Sequence, residues 1–508
     1  NGGLTTDVVF TTENQNGTTV YSWANDNPLI GLAESGEGNI ASFNATNTTT
    51  APIIATIIVT PAYDSTLECV GLPKTFTITV NPTGQVEPVA SQVVCNGDLT
   101  TVDFTTDNTV GTTTYEWASS SDHGSGLSGT GNISFTAVNT TTDLLVSTFT
   151  VTPIFTNAGV ECDGPSETFT ITVTPTTQVN NVIETICNAG TFSTVSPVDG
   201  LNGNFVPTGT TYSWIDPVSN PLNVVTGGSS ATNQESITGQ TLFNLTSIPA
   251  TLTYTVTPTS PEDCPGTPFT VTITVNPEPQ INNVIETICN DSAFSNVSPI
   301  DGANGDVVPT GTTYSWTAPV SNPVNVLTGG SPGTDQQSIL GQTLFNETNS
   351  PATLTYTVTP TSGDCIGDDF LITITVNPTG QVEPVASQVV CNGDLTTVDF
   401  TTDNTVGTTT YQWSSDSDLG SGLSGTGNIS FTAVNTTTDL LVSTFTVIPT
   451  FTNGDVGCVG LPETFTITVT PTAQVVEVED IVLCNESVST EVVFITENQN
   501  GTTVYNWT

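Results

Sequence analysis

In Glu167-Thr168-Phe169-Thr170-Ile171-Thr172-Val173-Thr174-Pro175 every second residue from Phe169 to Val173 is large and apolar, and threonine fills the places between. A period of two marks a strand with one buried and one wet face, and β-branched residues suit its pleat. Proline closes the run because it fixes φ and has no N–H to give to a ladder. The alternation recurs as Phe76, Ile78, Val80, as Phe269, Val271, Ile273, Val275, as Phe370, Ile372, Ile374, Val376, and as Phe465, Ile467, Val469. No stretch shows a comparable helical period, so the sequence predicts an all-β protein built of repeats.

A short proline linker follows each run: Val80-Asn81-Pro82, Val173-Thr174-Pro175, Val275-Asn276-Pro277, Val376-Asn377-Pro378 and Val469-Thr470-Pro471. Proline stiffens such linkers, so neighbouring repeats are expected to be semi-rigidly coupled. Asn81 to Tyr115 is identical to Asn377 to Tyr411. The expected organisation is a truncated repeat at 1–81, repeats at 82–174, 175–276, 277–377 and 378–470, and the start of another at 471–508. The third and fourth are a long type, with Gly- and Pro-bearing loops at Ser196 to Gly209 and Ser298 to Gly311. Asn1 to Trp23 matches Asn485 to Trp507 at 16 of 23 positions, which predicts a natural polypeptide that continues in both directions.

Forty-eight Asp and Glu stand against the single Lys74 and no Arg, for a net charge of -47. Phosphate backbones and anionic lipids need Lys or Arg for their binding, so nucleic acid and direct membrane insertion are excluded as partners. No run of about 18 apolar residues is present to span a bilayer. Hydrophobic residues make up only 35% of the chain, a composition that suits disorder, but their strict alternation argues for ordered strands.

All six tryptophans lie in Tyr-x-Trp: Trp23, Trp117, Trp214, Trp316, Trp413 and Trp507. On a strand both rings of each pair share one face, and their recurrence in every repeat marks them as core anchors; a sugar-stacking platform is the alternative. About seven short strands per roughly 95 residues around a central Trp describe an immunoglobulin-like β-sandwich. Stiffly linked in tandem, such sandwiches are expected to form an extended fibre.

Ten cysteines fall into two series. An early one sits in Cys-Asn at Cys95, Cys187, Cys289, Cys391 and Cys484, and a late one precedes the closing strand at Cys69, Cys162, Cys264, Cys365 and Cys458. Zinc sites cluster their ligands as CxxC or HxxxH, and neither occurs, so the cysteines read as disulfides of an oxidising, extracellular compartment. The expected pairing is early with late inside each repeat: Cys95–Cys162, Cys187–Cys264, Cys289–Cys365 and Cys391–Cys458. The rival Cys69–Cys95 is disfavoured because the strand Phe76 to Val80 and the Pro82 linker carry the chain away, beyond the ~7 Å Cα limit. Cys69 and Cys484 are then expected to find partners before Asn1 and after Thr508.

These units resemble the PKD-like (polycystic-kidney-disease-like) immunoglobulin-fold repeats of Bacteroidota surface proteins. The resemblance rests on Cys-Asn-Gly (Cys95 to Gly97), Tyr-x-Trp, Ser-Gly-x-Gly-Asn-Ile (Ser35 to Ile40, Ser128 to Ile133, Ser424 to Ile429), Cys-x-Gly and the closing Phe-Thr-Ile-Thr-Val-Asn-Pro. It covers the whole chain, although the long repeats carry Gly227 to Ser230 and Gly329 to Pro332 in place of Ser-Gly-x-Gly-Asn-Ile. The resemblance implies a giant protein secreted by the type IX pathway, acting as an adhesin or filament at the cell surface, gliding motility included.

Catalytic chemistry finds little support. The only histidine, His123, stands where the near-identical repeat has Leu419, and Lys74 corresponds to Glu167 and Glu463. Paired carboxylates recur at no fixed spacing, and Gly129-x-Gly131 precedes a strand instead of the helix that phosphate cradling needs. Calcium is the one cofactor considered, on Asp26, Asp416 and Asp418, because a hard cation seeks acidic loops. One lysine rules out Lys–Asn isopeptide staples as a general device. The sequons at Asn44, Asn132, Asn244 and Asn428 read as accidents of a Thr- and Asn-rich sequence, and Asp64-Ser-Thr and Asp291-Ser-Ala weakly match an O-glycosylation signal.

The expected function is mechanical and non-enzymatic: a stalk or filament segment of a secreted bacterial adhesin. Its partners would be surface glycans, other cells or a substratum met by other regions, with lateral self-association through Thr-rich edge strands. A glycan-binding array and the spacer of a secreted hydrolase are the alternatives.

Overall fold

The computed structural model describes residues 2–63 and 69–508. Their regular structure is almost wholly strand; the helical elements among them are two single 3-10 turns, Pro28–Ile30 and Ala303–Gly305. The chain divides into two compact units, one made of Asn1–Thr185, Thr191–Leu242 and Thr251–Thr274, the other of Ile186–Gly190, Phe243–Ala250 and Val275–Thr508.

The second repeat, in the first unit, shows the plan. Its strands are β1 (Gln92–Cys95), β2 (Leu99–Val102), β3 (Thr112–Ser119), β4 (Ser128–Thr130), β5 (Ile133–Thr136), β6 (Leu145–Asn157), β7 (Val160–Asp163) and β8 (Glu167–Thr174). The main sheet runs β1-β8-β6-β3-β4 with β7 hairpinned onto β6, and β2 pairs with β5 in the facing sheet. The alternation in β8 works as its pattern requires: Phe169, Ile171 and Val173 are buried. Phe169 stacks on Phe149 of β6 with ring centroids 5.4 Å apart, and Trp117 of β3 closes on Phe149 at 5.8 Å.

The opening strand β1 lies parallel to the closing strand β8, with Cys95 level with Thr174. In the second unit the same parallel pairing sets Cys289 level with Asn377 and Cys391 level with Thr470. Each early cysteine therefore sits at the end of its repeat where the chain departs for the next one.

Residues 471–508 hold no strand, yet they open with the contacts of a further repeat. The Gln474 amide donates to Asn498 Oδ1, as Gln85 does to Asn108 and Gln381 to Asn404, each at 2.7 Å.

Candidate functional site at the repeat junctions

The departing pole of each repeat is organised by asparagine. In the second repeat the buried Asn139 donates through Nδ2 to the carbonyls of Asp143 and Val173, both at 2.8 Å. Its Oδ1 accepts from the amide and hydroxyl of Thr141, both at 2.9 Å. Asn96, the partner in Cys-Asn, fixes this knot by accepting the Asn139 amide at 2.8 Å, while its own amide donates to Thr174 at 2.8 Å. The knot recurs at Asn47, Asn244, Asn346 and Asn435, each donating to the last valine of its repeat. Asn244 is thus a buried structural residue and no accident of composition. Nothing in Asn-x-Thr alone reveals this; the signal was its fixed place ahead of the second long strand in every repeat.

At the arriving pole the Cys-x-Gly turn meets the incoming linker. A Cβ on Gly164 would lie 1.8 Å from the Gly84 carbonyl oxygen, on Gly460 1.8 Å from that of Gly380, and on Gly367 2.0 Å from that of Pro279. Only glycine admits a backbone this close. The late cysteine is in the same hairpin: Cys162 accepts the Gly84 amide and Cys458 the Gly380 amide, both at 3.1 Å.

At three junctions, those at Pro175, Pro277 and Pro378, the departing cysteine of one repeat meets the arriving cysteine of the next. Cys95 is bonded to Cys264, Cys187 to Cys365 and Cys289 to Cys458, with Cα separations of 5.5, 5.5 and 5.4 Å. Cys69, Cys162, Cys391 and Cys484 are free thiols. The pairings expected from sequence, Cys95–Cys162, Cys187–Cys264, Cys289–Cys365 and Cys391–Cys458, are therefore corrected. Cys162 precedes β8 and Cys95 flanks its far end, so the seven steps from Glu167 to Thr174 hold them about 23 Å apart. That gap is several times what a disulfide spans. The strand-length argument that disfavoured Cys69–Cys95 excludes the intra-repeat pairs as well.

Five of the six tryptophans anchor cores: Trp23, Trp117, Trp214, Trp316 and Trp413 are 5–8% exposed. The Ser-Gly-x-Gly-Asn-Ile motif serves them. A Cβ on Gly36, Gly129 or Gly425 would come within 2.3 Å of the indole, so the glycine lies flat on the ring. The second glycine turns at φ +70 to +73, and the asparagine accepts the amide of Phe10, Phe104 or Phe400. In the long repeats the substituted segment supplies a hydrogen bond, Trp214 Nε1 to Ser229 O at 2.8 Å and Trp316 Nε1 to Ser331 O at 2.9 Å, and in the fourth repeat Gly333 still lies on the indole, where a Cβ would come 2.3 Å from the Trp316 ring. Trp507 departs from the expectation: it is 77% exposed, because residues 471–508 form no sheet for it to pack against, and its ring lies 5.8 Å from that of Phe494.

The acidic candidates cap loops. Asp26 Oδ1 accepts the Thr56 amide at 2.6 Å, and Asp418 Oδ1 accepts those of Gly420 and Gly422 at 2.8 and 2.9 Å. Asp416 Oδ1 accepts from the Thr444 amide and the Ser443 hydroxyl, both at 2.9 Å. The Thr444 amide first, then Ser443, holds the Asp416 carboxyl below the usual range. No cluster of three or more metal-ligating side chains occurs among the described residues. His123 Nε2 lies 3.1 Å from Ser121 Oγ, and the half-buried ring stands in the place of the buried core residue Leu419. Asp64 lies outside the described residues.

Residues 184–279 and 286–380 match the family of PKD-like domains. The fold is that of tandem PKD-like, immunoglobulin-like β-sandwiches. Among solved structures the chain is similar to the human desmocollin-1 ectodomain, with 12% identity over 91% of this chain and 94% of that one and a TM-score of 0.25. N-cadherin of Drosophila matches with 10% identity over 75% and 99%, TM-score 0.23, and an I-band fragment of titin with 8% over 58% and 98%, TM-score 0.29. No curated protein matches the chain.

Proposed function

We propose that this array is a load-bearing stalk segment of a secreted bacterial surface adhesin or filament. The observation that carries the reading is that its disulfides cross repeat boundaries, Cys95–Cys264, Cys187–Cys365 and Cys289–Cys458, and so spend their covalent strength on joining neighbours. Disulfides persist in oxidising compartments, which supports an extracellular location. The resemblance to Bacteroidota surface repeats supports export by the type IX pathway and a place among gliding-motility filaments.

The array itself performs no catalysis in this reading: His123 is half-buried beside Ser121 in the place of Leu419, and the candidate carboxylates cap turns. Adhesion to glycans, cells or a substratum belongs to other parts of the protein. A glycan platform on the repeats is disfavoured because glycine or neighbouring strands cover the tryptophan faces.

Antibody against the array should label intact cells of the source organism. Deletion of the array should weaken their attachment under flow, while the purified array neither binds immobilised glycans nor cleaves them. Label confined to the cell interior, or saturable glycan binding by the array, would overturn the proposal.

A further inference from the structure

We infer that the three disulfides form a covalent bypass that limits how far a pull between Cys95 and Cys458 can extend the second to fifth repeats. A pull arriving at Cys95 crosses to Cys264, follows the backbone for 25 residues to Cys289, and crosses again to Cys458. Those 25 residues contain two strands, β9 (Phe269–Asn276) and β10 (Val284–Cys289), already extended. A taut chain spans at most about 3.6 Å per residue, so this route is full at about 90 Å. The 363 residues between Cys95 and Cys458 would otherwise pay out about 1,300 Å.

The remaining bond makes a second route with no shared segment: backbone from Cys95 to Cys187, across to Cys365, and on to Cys458. Because it is longer, it stays slack until the first route breaks. The three closed loops also overlap in sequence, 95–264, 187–365 and 289–458, so every peptide bond from Cys95 to Cys458 is bridged by at least one disulfide. An ordinary intra-repeat disulfide would shorten each unfolded repeat but leave the linkers as the sole link between neighbours. The staggered pairing places a covalent strut across the linkers at Pro175, Pro277 and Pro378.

The inference rests on the load-bearing reading for its biological sense, but its test does not. The full chain is held by its two termini and pulled in a single-molecule force instrument, either oxidised or reduced and alkylated beforehand. The oxidised chain should release only the residues before Cys95 and after Cys458 plus at most about 90 Å, and the alkylated chain about 1,200 Å more. Removal of the middle bond in the Cys187→Ser/Cys365→Ser variant should leave the oxidised release unchanged, since the short route does not use it. Removal of the first bond in Cys95→Ser/Cys264→Ser should add about 500 Å, because the shortest route then detours through Cys187–Cys365 and back to Cys289. Equal release from oxidised and alkylated chains, or an added release in the Cys187→Ser/Cys365→Ser variant, would overturn the bypass. Failure of cell-surface labelling would instead remove the stalk reading and leave the bypass standing.

Discussion

Cys187 and Cys365, 178 residues apart in sequence, are bonded across the junction between the third and fourth repeats. Each belongs to a different sandwich, and each is held by its own local device: Cys187 by the neighbouring Asn188, which accepts the Asn244 amide, and Cys365 by a hairpin whose Gly367 meets the incoming linker.

Alkylation of the unreduced protein in denaturant should label Cys69, Cys162, Cys391 and Cys484 and no others. Peptide mapping should then recover the three inter-repeat pairs. Recovery of a Cys95–Cys162 peptide would contradict the pairing.

A protease site inserted in the exposed loop at Leu201 should be cut without separating the fragments. One band is expected on a non-reducing denaturing gel and two after reduction, since Cys95–Cys264 and Cys187–Cys365 both bridge the cut. Trypsin acts outside the bridged region, at the exposed Lys74, and should release its amino-terminal fragment even without reductant.

Gly129→Ala should destabilise its repeat by about 1–3 kcal/mol, because the added Cβ would lie 2.3 Å from the Trp117 ring and must displace it from a filled core. Gly131 turns at φ +70 with open space around it, so alanine there strains only the backbone. Chemical denaturation followed by tryptophan fluorescence separates the two, with the indole environment changed by the first substitution only.

Asn139→Ala should cost about 2–4 kcal/mol, since it strips partners from the Val173 and Asp143 carbonyls at a buried pole. Because the knot adjoins Cys95, amide exchange should rise first at Asn96 and Thr141. An unchanged midpoint in denaturant would show that water replaces the side chain at no cost.

Acid should open the Asp416 loop before it melts the sandwiches. Hydrogen bonds from Thr444 and Ser443 depress the folded-state pKa of Asp416, so the unfolded chain binds its proton more tightly. The stabilisation is complete above the unfolded carboxylate pKa near ~4 and is lost as pH falls through the lower folded value. Exchange protection of the Thr444 amide should follow that loss, and Asp416→Asn should abolish its pH dependence. Protection that is flat across this range in the native protein would contradict the assignment.

The strands and five of the six tryptophan anchors were legible because their signals are local. Phe169, Ile171 and Val173 face one way by the pleat alone, and Trp117 follows from Tyr115 two residues earlier. The asparagine knots were hidden, since an Asn-x-Thr reads the same whether it is a solvated sequon or a buried hub, and only the closing strand's carbonyl at Val173 makes Asn139 a hub. Trp507 carries the same motif as Trp117 yet stays exposed, because a motif anchors a core only where partner strands surround it.

By itself the sequence determined that this protein is a tandem series of β-sandwiches with an early and a late cysteine in each complete repeat, because side-chain periodicity and spacing are properties of neighbouring residues. Which cysteine meets which was decided by tertiary structure alone. The parallel pairing of β1 with β8 carries Cys95 to the departing pole, the hairpin before β8 leaves Cys162 at the arriving one, and the length of one strand forces every disulfide to reach into the next repeat.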